Sequence, residues 1–246
     1  MQVFYTTHSP NFLSAGYFDE IFVVRKTREK GTYLKYANPD DFIADLKIRT
    51  GIESNKENLL LHYRNAYENT GDTQKANEGF FAKKIILVEG QGESLLIPYF
   101  FNLIGFDYIK EGISLVRCGN KEEIDRFFRL YAEFGIPCFV IFDGDKDLIG
   151  TDKEVKNVEN NKAILSLFGE ESLDYPDNSV KDNYLGFEYK FEDNLGFKTS
   201  KKGLELFIET KDKISKNEIG VPDWTEKLKD KLNALSENGV VSILKK

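Results

Sequence analysis

The sequence has little cysteine and no long apolar run. Its two cysteines, Cys118 and Cys138, lack the spacing of a metal site, which argues against a zinc module or a disulfide framework. No segment approaches the roughly eighteen consecutive apolar residues of a transmembrane helix, and no signal-type segment opens the chain. We therefore expect a cytoplasmic protein that does not contact membranes.

Glycine motifs that bind phosphate are also absent. The chain contains no Gly-x-x-x-x-Gly-Lys-Ser/Thr loop, and residues 90–92, Gly-Gln-Gly, lack the third glycine of a dinucleotide-binding fingerprint. Acidic residues on both sides of this segment would repel a pyrophosphate. We therefore expect no ATP site and no residues that bind an organic cofactor in this chain.

Acidic residues outnumber basic ones, but not evenly. The net charge is −7, which by itself argues against nucleic acid as a partner. Residues 151–196 carry eleven acids and five lysines, whereas residues 197–246 carry eleven lysines and eight acids. An acidic pocket that takes up divalent cations beside a lysine-rich tail is compatible with a phosphodiester substrate. The expected affinity for DNA is weak and sensitive to salt.

Two short apolar runs each end in an acid followed by glycine. The runs that begin at residues 85 and 140 lead directly to Glu89, Asp143 and Asp145. Such runs indicate strands buried on both faces, and the carboxyl ends of parallel strands meet at one edge of a sheet. Glu93 follows Glu89 by four residues, so a helix that opens between them would direct Glu93 to the same edge. These carboxylates would repel one another unless a divalent cation such as Mg²⁺ or Mn²⁺ lies among them.

Each half of this pattern has a simpler explanation. Asp-Gly-Asp after a strand is more often a turn, in which Asp bonds its own backbone and Gly takes a positive φ. Glu93 in a first helical turn is favoured by the helix dipole alone. The two halves together, each closing a buried strand before a helical pattern, favour a metal site.

Hydrophobic periodicity predicts the order of strands and helices. Strands are expected over residues 2–7, 21–26, 32–36, 84–89, 114–117, 138–142 and 183–190. Helices are expected over residues 38–48, 58–67, 93–104, 121–134, 155–168, 201–214 and 223–235. The alternation after residue 83 indicates an α/β fold with a central, mostly parallel sheet flanked by helices, and a small helical element precedes it.

The segments that carry the acids resemble a known domain. Lys-Lys-Ile-Ile-Leu-Val-Glu-Gly-x-x-Glu at residues 83–93 and Phe-Asp-Gly-Asp-Lys-Asp at residues 142–147 look like the motifs of a Toprim domain. Residues 117–124 and Gly-Ile-Pro at residues 135–137 are most similar to OLD-family (overcoming lysogenization defect) nucleases. The resemblance implies a Rossmann-like Toprim fold and Mg²⁺-dependent chemistry.

A second resemblance concerns the start of the chain. Residues 4–14 look like the last strand and histidine switch of an ABC-type ATPase, and residues 19–25 look like the strand that follows. An ATPase that runs directly into a Toprim domain is the OLD-family arrangement. The resemblance implies an ATPase remnant over residues 1–36, a helical linker over 37–82 and a Toprim nuclease domain with C-terminal helices over 83–246. His8 would be the switch histidine only in a full-length protein. There, the missing N-terminal ATPase domain would be a partner, and homodimers would form through it.

The OLD-family resemblance also implies further site residues. An acid after the fourth strand of the Toprim sheet completes the metal site. We favour Glu192, and Glu188 is the alternative if the strand ends early. The family places a lysine near the scissile phosphate, and Lys201 and Lys202 best match its position. The candidate metal ligands are Glu89, Glu93, Asp143, Asp145, Glu192 and Glu188, and the candidate catalytic residues are Glu89, Asp143, Lys202 and Lys201.

The expected activity is metal-dependent cleavage or nicking of DNA by an endonuclease. In this chemistry two Mg²⁺ or Mn²⁺ ions about 4 Å apart activate a water and stabilise the leaving 3′ oxygen. The alternative is a non-catalytic Toprim scaffold that binds DNA in a recombination, repair or phage-defence complex, although the full set of acids argues against it. A phosphatase or receiver fold would leave Glu89 without a function. No strand-passage or zinc-binding module of a topoisomerase or primase is visible in the sequence.

Overall fold

The structure is a computed structural model that describes residues 3–28, 31–69 and 72–236. The strands are β1 Val23–Thr27, β2 Gly31–Lys35, β3 Lys84–Val88, β4 Ile113–Arg117, β5 Cys138–Asp143 and β6 Tyr184–Phe187. The helices are α1 Pro39–Thr50, α2 Lys56–Asn69, α3 Thr73–Glu78, α4 Gln91–Leu103, α5 Lys121–Glu133, α6 Glu154–Ser166, α7 Gly203–Ser215 and α8 Trp224–Ala234.

Strands β3 to β6 form a four-stranded sheet in the order β4-β3-β5-β6, and every pairing in it is parallel. The chain moves outward from β3 to β4 and then returns to the other side of β3 for β5. The direction of winding therefore reverses between β3 and β5. In open parallel sheets, ligands bind at such a reversal, outside the carboxyl ends of the strands. The predicted α/β fold with a parallel sheet flanked by helices is confirmed.

Helices cover both faces of this sheet because its strands are apolar on both faces. Ile85 and Leu87 of β3 pack on the side of α5 and α6. Ile86 and Val88 pack on the other side, with α4, α7 and α8. All four side chains are fully buried. Burial on both faces explains why these strands are unbroken apolar runs in the sequence.

The segment before β3 extends the first of these two cores. Helix α1 begins after Asn38, whose side chain accepts the N–H of Asp40, and it ends at Gly51 with a left-handed φ of 71°. The rings of Phe18, Phe42 and Tyr63 lie 4.9–5.5 Å apart and continue into the core beneath β3 and α5. The predicted helical element is therefore packed on the sheet domain. The domain limits drawn from the sequence stay predictions.

Two strand predictions were wrong in extent. Residues 3–7 are irregular and expose their apolar side chains, so no core holds them in a strand, and Gln2 lies outside the described residues. The strand predicted over residues 183–190 spans only Tyr184–Phe187. It ends there because the loop after β5 crosses the chain, with the N–H of Asp145 donating to the carbonyl of Tyr189 at 2.9 Å.

Two further observations concern the ends of the chain and its helices. Residues 237–246, the end of the lysine-rich segment, lie outside the described residues. Within the ranges that the structure describes, none of the helices has the length and apolar character needed to span a membrane.

Candidate active site

The carboxyl ends of β3 and β5 bring two acids to one edge of the sheet. Val88 is paired with Ile141 in the parallel register, so Glu89 lies directly after β3 while Asp143 closes the neighbouring strand. The N–H of Phe191, from the segment after β6, donates to Oδ1 of Asp143 at 2.8 Å. Three parts of the chain therefore meet at the reversal of winding between β3 and β5.

Gly144 is required where the loop after β5 passes the end of β6. Its N–H donates to the carbonyl of Phe187 at 2.6 Å. A Cβ at this position would lie 2.6 Å from the carbonyl oxygen of Glu188 and 2.7 Å from that of Phe187, so no larger residue fits. Asp145 follows with a left-handed φ of 49°. The simpler interpretation, a turn in which the glycine takes a positive φ, is therefore wrong in its details: the positive φ belongs to Asp145, and Asp143 accepts the N–H of Phe191.

Burial leaves the carboxylates at this edge poorly solvated. It raises the pKa of Glu89 to about 7, an effect that Lys121 opposes and Asp145 reinforces. Burial also raises the pKa of Asp143 well above its usual range, and the charges of Glu93 and Glu89 raise it further. Within the described part of the chain, Oε2 of Glu89 is buried and has no hydrogen-bond partner. A buried carboxylate oxygen without a partner is unfavourable, and a cation would supply the partner.

Glu93 approaches the same edge from α4. That helix begins at Gln91, two residues before the predicted start, so Glu93 lies in its first turn and is 6% exposed. Oε2 of Glu93 folds back over Gly90, where an added Cβ would lie 3.0 Å from it. Burial raises the pKa of Glu93, the charges of Glu89 and Glu192 add to this, and hydrogen bonds from backbone N–H groups oppose it. Glu93 therefore lies against the first residues of α4, and its charge interacts with that of Glu89.

Asp145 is directed to a buried lysine. Lys121 is the first residue of α5, whose N-cap Asn120 accepts the N–H of Glu123. Nζ of Lys121 lies 2.6 Å from Oδ2 of Asp145 and 2.6 Å from Oδ1 of Asn157, and this lysine is only 5% exposed. Asp145 is thus a candidate ligand whose carboxylate already has a cationic partner.

The two acids after β6 have different surroundings. Because β6 ends early, Glu188 is the terminal acid by position, but its Oε1 lies 2.5 Å from Nζ of Lys146. Glu192 lies in the short 3-10 helix that follows, and its charge raises the pKa of both Glu93 and Asp143. The charge of Glu192 therefore acts on the other acids, whereas the carboxylate of Glu188 pairs with Lys146, and the choice of Glu192 as a metal ligand stays a prediction. We use the term carboxylate cluster for Glu89, Glu93, Asp143 and Glu192.

The two candidate lysines also differ. Helix α7 begins at Gly203, where a Cβ would lie 2.5 Å from the side chain of Gln91 in α4, so the starts of the two helices touch. Lys202 is the exposed N-cap residue of α7. Burial is the largest influence on the pKa of Glu89 and raises it, whereas the charge of Lys202 lowers this pKa. Lys201 turns instead toward Glu209, with 3.7 Å between Nζ and Oε2.

The oxygen atoms of the carboxylate cluster are of the type that binds a hard cation, but the side chains are not arranged around a cation position. Across residues 3–28, 31–69 and 72–236, no group of three or more His, Cys, Asp or Glu side chains is arranged to hold a metal ion. The reason is local, since Asp143 accepts a backbone N–H, Glu93 lies over Gly90 and Asp145 pairs with Lys121. The donors are nevertheless all oxygens, largely buried, and one is unpartnered, which fits Mg²⁺ or Mn²⁺.

Sequence reasoning missed the polar network behind Asp145. Asn157 and Asn161, four residues apart on α6, donate from Nδ2 to the carbonyl of Gly144 at 2.8 and 2.9 Å. Their Oδ1 atoms accept from Lys121 at 2.6 and 3.2 Å. The available signals were a pair of asparagines with helical spacing and a lysine at a helix start directly after β4.

His8 lies in a different environment. It lines a surface groove together with Ser114 and Arg117 of the edge strand β4. Its role as a switch histidine stays a prediction for a longer protein.

Comparison with known families agrees with this architecture. The family described as overcoming lysogenization defect protein-like, TOPRIM domain, matches residues 80–145. The match begins before β3, ends just after β5, and contains Glu89, Glu93, Asp143 and Asp145. Residues 80–145 are thus part of an OLD-like Toprim domain. Helix α5, with its first residue Lys121, also lies within the matched range. Glu192 and Lys202 lie beyond it.

Individual proteins are similar to larger parts of the chain. A curated OLD nuclease of Thermus scotoductus is 31% identical over 146 residues, which are 58% of this chain and 25% of that protein. The chain thus spans about a quarter of the curated relative that it matches. The solved C-terminal region of the Xanthomonas campestris pv. campestris OLD protein is 16% identical, over 67% of this chain and 91% of that one, with a TM-score of 0.34. The C-terminal region of the Burkholderia pseudomallei OLD protein is 17% identical, over 67% and 87%, with a TM-score of 0.33.

Proposed function

We propose that this chain is a metal-dependent DNA endonuclease or nickase whose Toprim domain hydrolyses phosphodiester bonds. The observation that carries the proposal is the buried, unpartnered Oε2 of Glu89 within the carboxylate cluster, at the reversal of winding in the sheet. Like charges gathered in a poorly solvated place are unfavourable for the fold, and strongly raised pKa values of this kind concentrate at functional sites. The similarity of the chain to a curated OLD nuclease supports a nuclease.

The carboxylate cluster would hold Mg²⁺ or Mn²⁺, and Asp145 would add oxygens for a second ion. Bound ions of this type activate a water and neutralise the charge that develops on the phosphate. The protein keeps the carboxylate oxygens at a poorly solvated edge and holds Asp143 through the N–H of Phe191. We assign the catalytic carboxylates as Glu89 and Asp143, since they close the two strands between which the winding reverses.

Lys202 is the residue that we assign to the scissile phosphate. Lys202 is exposed at the start of α7, which meets the start of α4, and its charge acts on Glu89, which supports a role toward a phosphate bound at the carboxylate cluster. A positive charge there stabilises the negative charge that builds up on the phosphate oxygens as the P–O bond breaks. Lys201 is turned toward Glu209 and fits this role less well.

A plasmid cleavage assay tests the proposal. Supercoiled DNA is incubated with the purified chain, without ATP, in Mg²⁺, Mn²⁺, Ca²⁺ or EDTA. We expect nicked or linear product with Mg²⁺ or Mn²⁺, none in EDTA, and none from Asp143→Asn. The matched control is Asp147→Asn, because Asp147 lies in the same loop, is exposed and pairs with Lys190.

Four outcomes would contradict the proposal. Product in EDTA, or equal cutting by Asp143→Asn, would mean that the carboxylate cluster is not the active site. DNA binding without cutting in any of the cations would favour the scaffold alternative. A requirement for an ATPase domain, or for dimers formed through one, would appear as cutting only by a longer polypeptide.

A further inference from the structure

Lys121 is a buried cation beside the proposed metal site. Its Nζ lies 2.6 Å from Oδ2 of Asp145, 2.6 Å from Oδ1 of Asn157 and 3.2 Å from Oδ1 of Asn161. An ammonium group has three N–H donors, and these three acceptors match that number. No donor is left for a phosphate, so Lys121 is not placed to contact DNA.

The lysine is fixed relative to the loop that carries the acids. Asn157 and Asn161 accept from Lys121 and also donate to the carbonyl of Gly144, between Asp143 and Asp145. Two successive turns of α6 thus connect the first residue of α5 to the backbone of the β5 loop. The ammonium therefore keeps its place even if the carboxylate of Asp145 turns away.

We propose that Lys121 is the internal counter-ion of the metal site: it holds Asp145 away from the carboxylate cluster and weakens the binding of divalent cations. The inference rests on the proposed function, since it concerns the cation of the same site. Lys121 is on this view a positioning residue. A cation that recruits Asp145 must break an ion pair that is largely buried, and it must bind within reach of a fixed positive charge.

The charge of Lys121 reaches the carboxylate cluster as well as Asp145. Burial is the main influence on the pKa of Glu89, and Lys121 is the largest influence that favours its charged form. Lys121 therefore partly neutralises the site when no metal is present, and it competes with the metal for Asp145.

Calorimetric titration of the metal-free chain with Mn²⁺, without DNA, tests the inference. Lys121→Met removes the charge and keeps most of the side-chain volume. We expect it to tighten Mn²⁺ binding by about ten-fold or more, because a fixed positive charge near a divalent ion is lost. Lys121→Arg restores the charge, and its affinity should return toward that of the wild type. Lys156→Met is the matched control, because Lys156 lies on α6, is exposed and pairs with Glu122 at 2.7 Å.

The melting temperature of the metal-free protein is measured in parallel. A purely structural lysine and an internal counter-ion both predict a lower melting temperature for Lys121→Met, so only the affinity separates them. Unchanged or weaker Mn²⁺ binding by a folded Lys121→Met would overturn the inference. Lys121→Gln, which retains hydrogen-bonding groups without the charge, replaces it if the methionine variant does not fold. Wild-type protein that binds no Mn²⁺ would contradict the proposed function instead.

Discussion

Two groups of buried charged side chains in this protein differ in how their charges are balanced. The ion-pair cluster between α1 and α5 combines equal numbers of arginines and aspartates: Asp45, Arg49, Asp125 and Arg129. The carboxylate cluster consists of acids alone, and burial raises the pKa of Glu89, Glu93 and Asp143. A balanced buried group holds helices together, whereas an unbalanced one opposes folding and is expected where a ligand supplies the missing charge.

The ion-pair cluster joins the segment before β3 to the Toprim domain. Arg129 is 3% exposed, and its guanidinium lies 2.9 Å from Asp125 and 3.2 Å from Asp45. Arg49 approaches the same two aspartates from α1, at 2.7 and 3.7 Å. Each aspartate therefore faces both arginines, and removal of Arg129 leaves two aspartates with one more exposed arginine.

The largest expected effect comes from removing a charge from the carboxylate cluster. Glu89→Gln should abolish plasmid cleavage while the free energy of unfolding of the metal-free protein at pH 8 stays at or above the wild-type value, because repulsion and desolvation are relieved. Cleavage assays and urea denaturation measure the two quantities. A marked loss of stability in the variant would make Glu89 a structural residue and remove the contrast between the two clusters.

Removing a charge from the ion-pair cluster should have the opposite effect on stability. Arg129→Met leaves Asp45 and Asp125 without their most buried partner and should lower the free energy of unfolding by about 3–5 kcal/mol. Lys47→Met breaks the exposed pair with Glu53 and should lower it by less than about 1 kcal/mol. Urea denaturation compares both with the wild type. Equal stabilities of the two variants would show that the ion-pair cluster does not join the segments.

A comparison of the two lysines at the start of α7 tests which of them acts on a phosphate bound at the carboxylate cluster. Lys202→Ala should lower the cleavage rate by a factor on the order of 10² to 10³. This is the usual effect of removing one hydrogen-bond donor that stabilises the negative charge of a transition state. DNA affinity in Ca²⁺ should change only modestly, since one phosphate contact contributes little to it. Lys201→Ala should lose much less activity because Lys201 faces Glu209. The reverse ranking would contradict the assignment of Lys202.

The smallest expected effect is a dependence of stability on pH. The ordinary pKa of a glutamate is 4.5 and that of Glu89 in the folded chain is about 7, so its protonated form favours folding. This contribution, on the order of 3 kcal/mol at most, is complete below pH 4.5 and is lost as the pH rises toward 7. The unfolding free energy of the metal-free wild type, relative to that of Glu89→Gln, should therefore fall as the pH rises from 4.5 toward 7. A difference that stays constant over this range would contradict the raised pKa.

The sequence alone determined the positions of the strands that carry the site. The apolar runs before Glu89 and Asp143 are local features, and short runs of this kind are typical of strands that are buried on both faces, as β3 and β5 are. The acids of the Toprim domain could therefore be located from the order of residues along the chain. The requirement for Gly144 is not local, since a Cβ there would meet the carbonyl oxygens of Phe187 and Glu188, which are distant in sequence.

Tertiary structure set the surroundings of the candidate acids and lysines, which the order of residues along the chain left open. The choice between Glu188 and Glu192 depends on where the loop after β5 crosses β6, and the choice between Lys201 and Lys202 depends on how α7 meets α4. Lys121 had no local signal that connected it with Asp145, which is distant in sequence. Such pairings arise from contacts between separate elements, and hydrophobic periodicity reports only which face of each element is buried.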